Sequence, residues 1–321
     1  MPADALSNVL RTVRLTGATF FDVVARAPWV AEQPGPEMIL PKILPGAEHL
    51  IAYHVVTDGR CFAYAIGGEP IAVEAGEVVV FTKGDPHVMS SGPGMRGNPF
   101  SPSVIDAVDT GQLPLQINFG STGPTTKLVC GFLACDSHPF NPLLDNLPPV
   151  IKAGDPQKKD TGWFGQFIHF AKMESAQKRV GGESILARLS ELMFIEVVRR
   201  YLEGLPPGQA GWLAGLRDPF IGKALSLLHG GPAQNWTIDR LAKQVGVSRS
   251  LLADRFTDLV GIPPMQYLAK WRMQIASELL IGGASVATVA AEIGYASEAA
   301  FSRAFKKMVG VPPSTWRRRH N

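Results

Sequence analysis

Cationic side chains crowd one end of this chain. Of its 31 Lys and Arg, 13 fall between Asp218 and Asn321, where only 7 of the 28 Asp and Glu lie. That segment carries +6, and the first 217 residues carry −3. A basic module joined to a mildly acidic remainder has the charge pattern of a polyanion-binding unit attached to something else. Other groups able to do chemistry are sparser. Cys61, Cys130 and Cys135 are an odd number of cysteines in a long chain, which argues against a disulfide framework and for a reducing compartment, the cytoplasm. Cys130 and Cys135 stand five apart, so on a regular strand they face opposite sides and do not chelate one ion. Cys61 has no partner that the sequence names. His169 and His229 sit on apolar helical stretches and read as core or surface residues.

The elements that position the cations are written twice. "VGIPP" at 260–264 returns as "VGVPP" at 309–313, and a Gly running into Pro-Pro is a structural stop. Upstream of each stop, Ile238, Leu241, Ala242 and Val245 match Val286, Val289, Ala290 and Ile293 at i, i+3, i+4 and i+7, one apolar face of a short helix. Gly246 or Gly294 closes each helix. A second helix follows, with Ser248 or Ser297 suited to its N-cap. Its apolar positions are Leu252, Phe256 and Leu259, then Phe301, Phe305 and Met308. Helix, short turn, helix is the helix-turn-helix pattern, whose second helix enters the DNA major groove; a plain helical hairpin bundle is the competing reading. Between the copies "PMQYLAKWRMQIASELLI" reads as a helix opened by Pro264, with Leu268, Trp271, Ile275 and Leu279 as its buried stripe. Eighteen helical residues span about 27 Å, a strut near the ~34 Å that separates successive major-groove segments on one DNA face.

"GYASEAAFSRAFKKMVGVPPSTWR" resembles the signature of AraC/XylS-type transcriptional regulators, and the resemblance covers about 100 residues from near Asp218. It implies double-stranded DNA as a partner, an effector that the sequence does not name, and RNA polymerase as a further partner. Carried over by position, Ser250, Ala253 and Asp254 face bases, with Arg249 and Arg255 nearer the backbone or the domain interior. In the second copy Glu298, Ala299, Ser302 and Arg303 face bases, with Lys306 and Lys307 near phosphate. Arg303 is the best base reader, because an arginine grips guanine with two hydrogen bonds. Asp254 departs from a phosphate-facing surface; it either accepts from a cytosine amino group or pairs with a neighbouring Arg. "RRR" at 317–319 reads as a solvated tail adding nonspecific affinity.

From Glu48 onward the texture is short β-prone runs parted by Gly and turn residues, and after a loose Gly/Pro/Ser stretch at about 91–114 come "LQINF" and "KLVCGFLACD". Such spacing suggests a sandwich or barrel. "GEVVVFTKGDPH" resembles the second motif of cupin barrels, with Thr82 in place of its usual proline; the fold resemblance covers roughly 40–140. Of the first motif's usual ligands only His54 remains, and Val56 stands where the second histidine belongs. The resemblance points His54 and His87 into the barrel mouth, with Cys130 on a later strand that could line the same cavity. Two imidazoles and a thiolate suit zinc, with a fourth ligand unidentified. An oxidant-sensing thiol at Cys130 is a related reading, and ordinary barrel core is the third.

Helical texture returns at about 160–204, with more apolar positions (Ile185, Leu189, Leu192, Met193) than a barrel needs to cover itself. These helices either dimerise the chain, as in AraC-type proteins, or pack on the barrel. "LPPGQAG" at 205–211 reads as a linker. The expected fold is α+β. Residues 1–204 form a cupin-like β-barrel with a helical extension, 205–217 a linker, and 218–321 an all-α double helix-turn-helix domain. No run of about 18 apolar residues suggests a membrane span, and the first residues lack a secretory apolar core. The leading function is a DNA-binding transcriptional regulator whose cupin-like domain senses a small molecule, metal or oxidant. The alternative is a metal-dependent cupin oxygenase or isomerase with an appended helical domain, which the reduced ligand set disfavours.

Overall fold

The computed structural model describes residues 4–12, 15–43, 46–98, 115–120, 122–135, 139–155, 163–177, 179–206 and 209–320. The end of the loose stretch at 91–114, and Pro207 and Gly208 of the expected linker, lie outside the described residues. Two compact units emerge, one of residues 15–136 and 147–204, the other of 1–14, 137–146 and 205–321.

The first unit is built from β1 (Thr16–Arg26), β2 (Val30–Gln33), β3 (His49–Asp58), β4 (Arg60–Ala65), β5 (Ile71–Glu74), β6 (Glu77–Phe81), β7 (His87–Ser90), β8 (Leu115–Gly120), β9 (Thr125–Cys135) and β10 (Val150–Gly154). One sheet runs β10-β6-β3-β9-β1-β8 and the other β2-β7-β4-β5. The barrel therefore begins at Thr16, well before Glu48: β1 pairs with β9 antiparallel and β8 parallel, and β2 with β7. Side chains alternate faces along a strand. Leu50, Ala52 and Val56 of β3 and Leu128 and Phe132 of β9 share a core with Ala63, Val73 and Met89 from the second sheet. The same alternation places His54 and Cys130 on the inward face, directly opposite each other in the β3–β9 register. On the outward face Tyr53 donates to or accepts from Ser190 at 2.6 Å. Ser190 belongs to the helix Gly182–Gly204, which buries Leu186, Met193, Phe194, Val197 and Val198 and packs on β1, on the helix Trp163–Gln177 and on β10. One side of this helix is thus barrel cover, and Ile185 and Leu192 remain exposed.

The second unit draws in segments that composition did not assign to it. Residues 205–217 include the helix Trp212–Arg217. Its Trp212 is buried and donates from Nε1 to the Tyr267 hydroxyl at 2.7 Å, so an apolar "WLAGL" run follows the linker-like punctuation and docks. Helices Ala5–Thr12 and Pro142–Asn146 join the same unit. The repeat folds as two helix pairs. Ile238–Val245 leads into Arg249–Val260, and Val286–Glu292 into Glu298–Val309. Ser248 and Ser297 cap the second helices, accepting from the amides of Leu251 and Ala300. Pro264–Ile281 joins the pairs with Pro264 in its first turn. It is buried over a broader face than the expected stripe. Tyr267, Leu268, Trp271, Met273, Ala276 and Leu280 are covered, whereas Ile275 and Leu279 are half-buried. The "RRR" run is no tail: it ends the helix Pro313–His320, where Trp316 enters the core and Arg317 donates to the Ala284 carbonyl at 2.5 Å.

Gly246 and Gly294 both adopt left-handed backbone, with φ of 93° and 80°. Around Gly246 there is open space, but a Cβ on Gly294 would run into the carbonyl oxygen of Ala233. Gly246→Ala should cost about 1–2 kcal/mol, the price of left-handed backbone alone, and Gly294→Ala distinctly more. Chemical denaturation of the full chain checks the order; equal losses would contradict it.

Candidate nucleic-acid interface and barrel cavity

In both helix pairs burial fixes which face remains outward. Leu252 and Phe256 enter the core from Arg249–Val260, as Phe301 and Phe305 do from Glu298–Val309. That leaves Arg249, Ser250, Asp254 and Arg255 exposed on the first, with Ala253 half-buried. On the second Glu298, Ala299, Arg303, Lys306 and Lys307 are exposed and Ser302 is half-buried. The carried-over positions thus share an outward face in each helix. They differ in what holds them. Arg255 reaches back to Asp218 at 2.5 and 2.7 Å, and the same carboxylate accepts from the amides of Phe220 and Ile221 at 2.9 Å. Burial alone would raise the Asp218 pKa, but the Ile221 amide and the Arg255 guanidinium outweigh it and hold it low. Arg255 is therefore tied to the domain interior. Arg249 lies 3.7 Å from Asp239 with both side chains about two-thirds exposed, a pairing that restrains it little. Among the described residues Asp254 has no cationic partner, so the expected pairing with a neighbouring Arg is not formed. Arg303, Lys306 and Lys307 likewise have no acidic partner among the described residues.

The barrel brings His54, His87 and Cys130 to the wall of one cavity of about 70 Å³. The imidazoles meet directly, with Nε2 to Nε2 at 2.8 Å. His87 Nδ1 lies 3.0 Å from the Asp85 carbonyl, which can only accept, so Nδ1 carries the proton and His87 Nε2 is an acceptor. His54 must then donate from Nε2, which leaves its Nδ1 a bare lone pair; that atom is buried with no hydrogen-bond partner. The Phe81 ring stacks on His87 at 3.7 Å. These residues do not fit zinc as they stand. Two imidazole nitrogens on a tetrahedral zinc at about 2.0–2.1 Å sit some ~3.3 Å apart with the ion between them, whereas here they share a proton. Among the described residues no group of three or more His, Cys, Asp or Glu is placed to hold a metal. The Cys130 thiol is pushed well above its ordinary pKa by burial, then by Cys61 and Asp22, so it stays protonated, unlike the thiolate that oxidants attack. Cys135 is also buried, at the end of β9.

Trp29 and Gln33 line the same cavity, and sequence reasoning passed over both. The available signal was the alternation of Trp29, Ala31 and Gln33, which all line the cavity, the last two from a strand too short to stand out.

Both cavity imidazoles are neutral in the fold. Burial pulls His87 down to about 4, against a smaller upward pull from the Asp85 carbonyl. Burial, then the adjacent His87, holds His54 well below the ordinary 6.5. An unfolded histidine titrates near 6.5. Below that pH the unfolded chain takes up protons that the folded barrel refuses, so stability falls as pH drops from about 6.5 to about 4. The slope is roughly 1.4 kcal/mol per pH unit for each imidazole. Denaturation midpoints of the full chain should decline across this window, and His87→Gln should flatten the decline by one imidazole's share. An unchanged slope in the variant would contradict the assignment.

A cupin family model matches residues 4–203, and a helix-turn-helix domain model matches residues 241–319. Over 323 residues the chain is 31% identical to an AraC-like transcription regulator of Streptomyces antibioticus, covering 98% of each. It is 27% identical over 318 residues to the HTH-type transcriptional regulator AlkR of Acinetobacter baylyi, covering 98% of this chain and 99% of that one. The solved DNA-binding domain of AdpA in complex with a target DNA shares 28% identity with a TM-score of 0.30, covering 32% of this chain and 93% of that chain. The two family models fall on the two halves that burial and charge had already distinguished, and the relatives carry both halves end to end: the chain belongs to the AraC-like DNA-binding transcription regulators, with an N-terminal cupin domain.

Proposed function

We propose that the chain reads its DNA site through the helices Arg249–Val260 and Glu298–Val309, and that a small molecule entering the barrel cavity sets how strongly it does so. The observation that carries this reading is the outward face of Glu298–Val309. Arg303, Lys306 and Lys307 stand exposed there, on a helix whose other side is locked by Phe301 and Phe305. Arg303 reads bases, Lys306 and Lys307 hold phosphate, and Ser250, Ala253 and Asp254 complete the first contact surface. With Arg255 held by Asp218, its role is to fix the first reading helix rather than to touch DNA.

The barrel acts as a sensor rather than an enzyme, in keeping with relatives that are named transcription regulators. A small molecule suits the cavity better than zinc or an oxidant, because the imidazoles bond each other and the Cys130 thiol is kept protonated. Exposed Ile185 and Leu192 mark the face through which two copies associate. The protein works in the cytoplasm beside RNA polymerase. No described helix is long and apolar enough to cross a membrane.

Selection of binding sites from random duplexes, followed by titration of the full chain, tests the reading. Arg303→Ala should lose roughly 1–3 kcal/mol of discrimination at one or two base pairs. Lys306→Ala should weaken all sequences alike and reduce the salt slope by about one. An Arg303→Ala protein with unchanged sequence preference would remove Arg303 from base readout.

A further inference from the structure

We infer that the barrel cavity takes a compact, uncharged molecule with an apolar body and one hydroxyl head, which Trp29, Gln33 and His54 recognise. The inference rests on the reading of this cavity as the effector site and names the chemistry of its occupant.

Three side chains that line the cavity each hold a buried polar atom without a hydrogen-bond partner: Trp29 Nε1, Gln33 Nε2 and His54 Nδ1. Their residues are 4%, 6% and 8% exposed. Leaving such atoms unmet costs about 1–3 kcal/mol each, so the folded chain holds a polar demand inside an otherwise apolar space. The demand has a definite sign. An indole N–H and an amide N–H₂ only donate. His54 Nδ1 only accepts, because the Asp85 carbonyl fixes the proton on His87 Nδ1 and so directs the His54 proton to Nε2. Gln33 pairs in register with His87, whose ring bonds His54, and Trp29 lines the same cavity.

A hydroxyl offers one donor and two acceptor lone pairs, which is the complement of two donors and one acceptor. A carbonyl cannot donate to His54, and an ammonium cannot accept from Trp29 or Gln33. A carboxylate would bring a charge into a cavity that, among the described residues, no Lys or Arg lines, and an unpaired buried charge is far costlier than an unmet hydrogen bond. Water has the same complement, and about 70 Å³ exceeds the ~10–15 Å³ that one water needs. Water alone, however, would leave Phe21, Ile39, Ile117, Phe119 and Phe132 facing solvent. A hydroxyl carried on an apolar body satisfies the polar atoms and covers this wall together.

Phenol, benzene and benzoate are the probes, titrated calorimetrically into the full chain at pH 7. Phenol should bind saturably and at least tenfold more tightly than benzene, and benzoate should not bind saturably. Gln33→Leu should narrow the phenol-to-benzene gap to about twofold or less. Benzene matching phenol, benzoate binding most tightly, or no probe binding at all would overturn the inference. If Gln33→Leu fails to fold, the three probes on the unaltered chain still decide. DNA affinity measured with the bound probe separates the two levels. Benzene binding that shifts DNA affinity keeps the sensor and overturns the hydroxyl class; phenol binding that leaves DNA affinity unchanged keeps the class and overturns the sensor.

Discussion

The Asp85 carbonyl accepts a hydrogen bond from His87, and because a carbonyl cannot donate, the proton positions of two buried imidazoles follow from it. His87 turns an acceptor toward His54, and His54 turns its one remaining lone pair to the cavity wall without a partner. Burial enforces the rest. Neither ring can charge near neutral pH, and the Cys130 thiol beside them cannot ionise. The two imidazoles of the barrel interior are therefore neutral and hydrogen-bonded to each other.

The opposite condition governs the other unit. There the cations stay outside, and some of them are given acceptors. Arg255 binds the Asp218 carboxylate that also accepts from the first amide of the helix Ile221–Gly230, and Arg272 donates to the carbonyls of Pro232 and Gln234. Restraining these leaves a smaller set, Arg303, Lys306 and Lys307 above all, free to meet an anionic surface. Serine caps and left-handed glycines keep each pair of helices short and sharply turned, so the outward face is defined by Phe256, Phe301 and Phe305 being locked inward.

The helix pairs were legible because their signals are local. Ser248, Gly261, Ser297 and Gly310 mark helix ends by capping chemistry that needs no tertiary context, and the near-repeat of seven apolar positions made the pattern hard to mistake. The barrel was less so. The resemblance to the two cupin motifs pointed to His54 and His87, and Cys130 came from a later strand; all three line one cavity, but residue types could not tell a proton shared between two rings from an ion held between them. β1 and β2 were missed because their pairing partners lie about 60 to 110 residues away. Trp29 and Gln33 went with them. The linker was misjudged for a similar reason, since Pro and Gly at 205–211 do not reveal that Trp212 finds a hydrogen-bonding partner in Tyr267.

Two reading helices, one on each side of the strut Pro264–Ile281, are the central claim of this account. Hydroxyl-radical footprinting of the full chain on a selected duplex tests it most directly. The account predicts two protected backbone patches on one face of the DNA, about one helical turn apart, roughly 10 base pairs. A single patch no longer than one half-site, or protection spread evenly without a phase, would contradict it.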